Sequence, residues 1–306
     1  MYDCVLVPFD FSPDSVHAVR LLRGLPGRPR VILLHVVFDW RIGRVGSPRG
    51  AMVAEAAHLR LEEFRESLQW EGVEVETRVE LVSGGPFADV VNRVAEEEGA
   101  TLVTLGRRGQ GAIATLLVGS FATDILRYGR QDLLLTHRPT KLEAQQGGEL
   151  HLDAGLFSRV AVCTDFSEPE VVTLCDAILP KETPLLLLHV VETGDSLEEV
   201  REQSTAARAR LEGLASSLSA DRGTIRVSVG VGDSAREIIA FGREEDVSLI
   251  VVKSGGDRGL LYSILGSTTA AVAREADRPV LILRGFGTTS KPGPSPGADE
   301  GRFAGE

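Results

Sequence analysis

Short, nearly unbroken apolar runs alternate along this chain with longer amphipathic stretches, and each run stops at a turn-forming residue. Val5-Leu6-Val7-Pro8-Phe9 stops at Asp10, and Val31-Ile32-Leu33-Leu34-His35-Val36-Val37 is apolar on both faces, as a buried parallel strand reads. Between them Pro13 follows Ser12 at a helix start, and Gly24 and Pro26 stop that helix near Arg23. An amphipathic stretch over about 51–70 predicts a second helix, and 73–82 alternates as a third strand. Pro86 then opens a helix over 87–98 that Gly99 closes. Strand four spans 102–105, a glycine-bearing loop follows, and a helix over about 118–128 leads into strand five at 133–136.

The chain then repeats itself. Cys163-Thr164-Asp165-Phe166-Ser167 answers Pro8-Phe9-Asp10-Phe11-Ser12, and Leu188-His189-Val190-Val191 answers Leu34-His35-Val36-Val37. Strands are predicted at 160–163, 185–191, 225–231, 249–252 and 280–283, with helices over 196–218, 235–245 and 268–274. Alternating strands and helices joined by short turns imply an α/β fold. The expectation is two tandem open, mainly parallel five-stranded sheets with helices on both faces. The first domain is placed at 1–140, a polar linker containing Gln145-Gln146-Gly147-Gly148 at 141–156, and the second domain at 157–285. The Gly- and Pro-rich tail over 286–306 is too poor in apolar residues to order itself.

Composition narrows the function classes. A hydrophobic fraction of 43% is that of an ordinary globular protein, and a formal net charge of −11 argues against general nucleic-acid binding. No run approaches the roughly 18 apolar residues that span a bilayer, and the start lacks a signal-peptide pattern, so no membrane role and a cytoplasmic location are expected. Cys4, Cys163 and Cys175 lack zinc-ligand spacing and read as buried hydrophobes.

The stretch with most chemical content runs from Leu102 to Ser120. An apolar strand breaks into a loop with Gly106, Gly109 and Gly111, then reaches Gly119-Ser120 at a helix start. Glycines let backbone N–H groups approach an anion, and a helix N-terminus favours one. Arg107 and Arg108 either clamp phosphate or are simply solvated. Asp10 and Asp165 are either helix caps or ligand contacts. His35 and His189 have no cluster of carboxylates or cysteines around them in sequence and read as structural. Gly109-Gln-Gly111-Ala-Ile-Ala114 matches a dinucleotide pattern formally but follows the wrong strand, and Walker A is absent.

These residues together resemble the universal stress protein family in its tandem form, whose nucleotide pattern G-x2-G-x9-G-[ST] occurs as Gly106-x2-Gly109-x9-Gly119-Ser120. The resemblance implies a Rossmann-like fold of the adenine nucleotide alpha hydrolase type, with ATP, or AMP or ADP, beyond the C-terminal strand ends, and Mg2+ as an optional companion of the phosphates. It implies that Asp10 and Val36 face adenine and ribose. Gly106, Gly109, Gly119, Ser120 and the Phe121 backbone would hold phosphates, with Arg107 beside them. In the second half Asp165, Val190, Gly256, Gly266, Ser267 and Thr268 match their counterparts, but Lys253 stands where the first glycine belongs. Its side chain would crowd the ligand or offer it an ammonium. The resemblance further implies halves paired through their last strands as an intramolecular pseudo-dimer, with a homodimer as a further option. The function expected is nucleotide binding in stress response or regulation, with slow or no hydrolysis and no catalytic residue assigned. An ATP-consuming enzyme on the same fold, or a second half that is only a scaffold, are the alternatives.

Overall fold

The computed structural model describes residues 2–39, 48–68, 70, 73–108, 119–138, 155–167, 170–192, 194, 196–218, 220–255 and 265–284. Gly109, Gly111, Gly256, most of the linker and the tail lie outside these residues. The first half runs β1 (Cys4–Pro8), α1 (Pro13–Leu21), β2 (Arg30–Phe38), α2 (Pro48–Ser67), β3 (Val75–Val82), α3 (Phe87–Glu98), β4 (Leu102–Gly106), α4 (Ser120–Tyr128) and β5 (Asp132–Thr136). The second runs β6 (Val160–Cys163), α5 (Val171–Ile178), β7 (Leu185–Val191), α6 (Leu197–Ser217), β8 (Ile225–Val231), α7 (Ser234–Glu244), β9 (Leu249–Lys253), α8 (Ser267–Glu275) and β10 (Val280–Leu283). The hydrophobic pattern does not announce α5, because its sequence, Val-Val-Thr-Leu-Cys-Asp-Ala-Ile, has almost no polar face.

Local chemistry accounts for most boundaries. Ser12 caps α1 by accepting the Ser15 N–H, and Pro13 sits at the first helical position, where its missing N–H costs nothing. Ser196 and Asp233 cap α6 and α7 in the same way. Gly99, at φ 68°, ends α3 in the left-handed region that glycine reaches without strain.

The five strands of each half do form a parallel set, in the orders β3-β2-β1-β4-β5 and β8-β7-β6-β9-β10. The two sets join edge to edge, because β5 and β10 pair antiparallel, with Leu133 opposite Ile282 and Leu135 opposite Val280. The described strands therefore make one ten-stranded sheet, with β3 and β8 at its outer edges. Alternate strand residues feed two cores. Leu6, Ile32, Leu133, Ile250 and Ile282 point to the face covered by α3, α4, α7 and α8. Val5, Leu33, Leu134, Leu187 and Leu281 point to the face covered by α1, α2, α5 and α6. Each wholly buried leucine stabilises the fold by about 1.5–3 kcal/mol. Leu156, at the end of the sequence-assigned linker, is itself buried in the second core.

In each half the strand order reverses direction beside its first strand, between β1 and β4 and between β6 and β9. Open α/β sheets place ligands outside the C-terminal strand ends at such a point.

Candidate functional site

The two switch points share one turn. Leaving β1, Asp10 Oδ1 accepts the Ser12 N–H at 3.0 Å; leaving β6, Asp165 Oδ1 accepts the Ser167 N–H at 2.9 Å. The residue between, Phe11 or Phe166, is forced to φ 62° or 61°, a region a bulky side chain rarely occupies. Its ring meets a histidine and an arginine. His35 lies 5.0 Å and Arg60 3.9 Å from Phe11, while His189 lies 4.3 Å and Arg210 4.0 Å from Phe166. His35 Nδ1 bonds the Phe9 carbonyl and His189 Nδ1 the Thr164 carbonyl, so Nδ1 is the donor in both. These histidines brace the turn, in keeping with the structural reading of them. Neither aspartate is a helix cap, since Ser12 and Glu170 fill that role. Each carboxylate is instead fixed at a strand end.

Beyond this turn the halves diverge. α1 starts at once, at Pro13, and brings its backbone against β4. A Cβ on Gly106 would lie 2.7 Å from the backbone of Asp14, so the first glycine of the motif serves helix–strand contact. In the second half the helix starts later, at Val171. That leaves room for the Lys253 side chain, whose Nζ donates to Ser167 Oγ at 2.8 Å. Ser167 Oγ in turn donates to Asp165 Oδ1 at 2.5 Å. Burial alone would raise the Asp165 carboxyl, but the Ser167 hydrogen bonds and the Lys253 ammonium together hold it below the usual range. The side chain that departs from the motif is thus built into the second turn.

The crevice floors are α4 and α8. Each begins after a glycine, Gly119 or Gly266, that supplies no side-chain cap. Their first-turn N–H groups have no acceptor within the helix. In the second half this end opens on a cavity of about 200 Å³. Asp165, Val190, Lys253, Gly266, Ser267 and Thr268, all candidates from sequence, line it together. Ser234, which the motif does not include, lines it too. Aligning the two copies points to this position, because its counterpart in the first half is Phe87. Cys163 also lines the cavity, with its thiol pushed up to about 12 by burial and therefore protonated.

In the first half Asp10, Val36, Gly106, Gly119, Ser120 and Phe121 sit at the corresponding strand and helix ends. There the places of Ser234 and Thr268 are taken by Phe87 and Phe121, whose rings stack at 4.5 Å, with Phe38 stacked 6.2 Å from Phe121. Arg107 is not brought to this crevice by its side chain. Its guanidinium turns across the seam to the carbonyls of Arg274 and Ala276, because the end of α8 offers buried acceptors there. Arg108 lies 3.7 Å from Asp14 and donates to the Arg138 carbonyl.

Comparison with known proteins gives a consistent result. The model of the universal stress protein family matches residues 1–137 and 156–284. A universal stress protein of Mycolicibacterium smegmatis is 24% identical over 299 residues, spanning 92% of this chain and 96% of its own. One from Bacillus subtilis is 31% identical over 148 residues, 42% of this chain and 100% of its own. Among solved structures, a universal stress protein from Archaeoglobus fulgidus has the same fold, with a TM-score of 0.64 at 21% identity, over 92% of this chain and 98% of that one.

Proposed function

The chain belongs to the universal stress protein family, and we propose that it binds one adenine nucleotide per chain, in the second half, as a stress-response or regulatory protein. The observation that carries this reading is the cavity in which the Lys253 ammonium, the open N-terminus of α8 and the fixed Asp165 carboxylate converge. In this reading the phosphates lie against Gly266, Ser267 and Thr268, where first-turn N–H groups and the helix dipole favour an anion. Lys253 supplies a cation beside them, while Asp165 and Val190 face ribose and adenine. Gly256, outside the described residues, keeps its expected phosphate role.

The first-half crevice is read as a filled counterpart. Phe87 and Phe121 put phenyl rings where the second half has two hydroxyls. In this reading the ligand sits in the half whose motif departs from the family pattern. Turnover is expected to be slow or nil. Asp165 is held ionised by its neighbours and suits hydrogen-bond acceptance better than proton abstraction, and the Cys163 thiol is far from its thiolate. Among the described residues no three metal-ligating side chains come together, so a Mg2+ ion accompanying ATP would be held chiefly by the phosphates. Among the described residues no helix is long and apolar enough to cross a membrane.

Calorimetric titration of nucleotide-free protein with ATP, ADP and AMP tests the proposal. One site per chain is expected, with no ADP accumulating from ATP above the uncatalysed rate. Two equivalent sites would overturn the asymmetry, and absence of binding would remove the nucleotide reading altogether.

A further inference from the structure

We propose that Arg107, although it belongs to the first half, is a positioning residue for the nucleotide held by the second. The inference rests on the reading of the second-half cavity given above. The helix α8 begins at that cavity and ends at the seam between the halves. A helix end leaves its last carbonyls without partners, and buried ones need donors. Arg107 supplies them, with Nη1 donating to the Arg274 carbonyl at 3.0 Å and also to that of Ala276, from a residue only 7% exposed. Its Nη2 meets His137 Nδ1. A guanidinium only donates, so that nitrogen is the acceptor and the imidazole is neutral.

The end of α4 is treated in the mirrored way. Arg284, from the second half, donates through Nη2 to the carbonyls of Ile125 and Leu126, each at 2.9 Å, and through Nη1 to that of Gly129. The two arginines are not copies of each other. In the repeat Arg107 corresponds to Ser254, and Arg284 to His137. Each half therefore grips the other's last helix by a residue from a different place in the repeat, so inheritance from a common ancestor of the halves does not explain the clamps.

Among the described residues, the start of α8 faces a cavity lined by the hydroxyls of Ser234, Ser267 and Thr268. The nine residues of α8 span roughly 14 Å, short enough for the C-terminal anchor to set where the first-turn N–H groups aim. Thr269 Oγ1 fixes the other end, donating to the Lys253 carbonyl at 2.8 Å. The Arg107 cation meets the negative end of the helix dipole and so helps hold the last turn of α8 in place. The first half thus contributes to binding through the helix it holds.

The test compares variants of the full chain by calorimetric titration with ATP and by thermal unfolding. Arg107→Met is expected to weaken ATP binding about fivefold, and Arg107→Lys to recover most of that affinity without recovering Tm, because the charge returns but the two-pronged bonding does not. Should Arg107→Met not fold, Arg107→Gln keeps amide donors without the charge and is expected to bind about threefold more weakly than wild type. Arg284→Met removes a comparable set of seam bonds at α4 and is expected to lower Tm while leaving affinity within about twofold. Wild-type affinity in the foldable Arg107 variant, or an equal loss in Arg284→Met, would reduce Arg107 to a fastener of the seam and overturn the inference. Wild-type protein that takes up no ATP overturns the nucleotide reading, and this inference falls with it.

Discussion

The ends of β1 and β6 carry the same strained Asp-Phe-Ser turn, with the same histidine and arginine against the phenyl ring, yet they open onto different surroundings. At the first, α1 starts immediately and packs its backbone onto Gly106, while phenyl rings stack over the start of α4. At the second, the helix starts later, a lysine reaches into the turn, and hydroxyls line a cavity. What survives duplication is the part that shapes the strand end. What differs is what stands beside the turn and over the helix start, Lys253, Ser234 and Thr268 against Gly106, Phe87 and Phe121.

The comparison breaks most sharply if the second crevice is given the first one's residues. Ser234→Phe with Thr268→Phe should fill the cavity and lower ATP affinity by at least about 100-fold, as loss of a phosphate contact and of ligand volume together predict. Retained affinity in a titration of this double variant would place the nucleotide elsewhere. Next in size is a stability effect in the other half. Gly106→Ala sets a Cβ against backbone atoms of Asp14 at 2.7 Å, and overpacking of that kind costs about 1–3 kcal/mol in urea unfolding. An unchanged midpoint would show that α1 yields easily and that Gly106 has some other reason to be glycine. In the second half the same position accepts a long side chain, so Lys253→Met should change stability by no more than about 0.5 kcal/mol. Its effect belongs to binding, where losing a charged partner of phosphate predicts roughly a tenfold weaker complex. If adenosine and ATP lose affinity equally, Lys253 is not a phosphate contact.

How much of this was legible in the sequence differs by level. The alternation of apolar strands with amphipathic helices reported the fold because burial on two faces dictates it, and the repeat of Asp-Phe-Ser and Leu-His-Val reported the duplication. Helix α5 escaped because a segment apolar nearly all round carries no 3.6-residue period. At the candidate site the motif marked strand and helix ends that in the second half line one cavity, but not how their side chains are used. Gly106 matched the motif while Lys253 departed from it, and the difference follows from where the preceding helix starts, at Pro13 or at Val171, which spacing to the motif does not encode. From sequence Arg107 was either a phosphate clamp of its own loop or solvated. Its acceptors, Arg274 and Ala276, lie far along the chain, and only the antiparallel pairing of β5 with β10 brings them near.

A smaller effect separates the halves by acidity. His17 and His35, both in the first half, are held below the ordinary histidine range chiefly by burial, which penalises the charged ring, while hydrogen bonds to backbone at His137 and Phe9 oppose the shift. Between the lowered folded values and about 6.5 the unfolded chain binds more protons than the folded one. Stability is therefore fully present above about pH 6.5 and declines as pH falls through that window. Asp165 in the second half behaves oppositely in position: its lowered carboxyl contributes above about 3.8 and loses that contribution only as pH falls further, through its folded value. Unfolding of His17→Gln and His35→Gln between pH 5 and 7 should each give a shallower slope of stability against pH than wild type, while Asp165→Asn should leave that slope unchanged. A slope altered by Asp165→Asn and untouched by the histidine variants would move the acid-sensitive site into the second half, against the burial seen around His17 and His35.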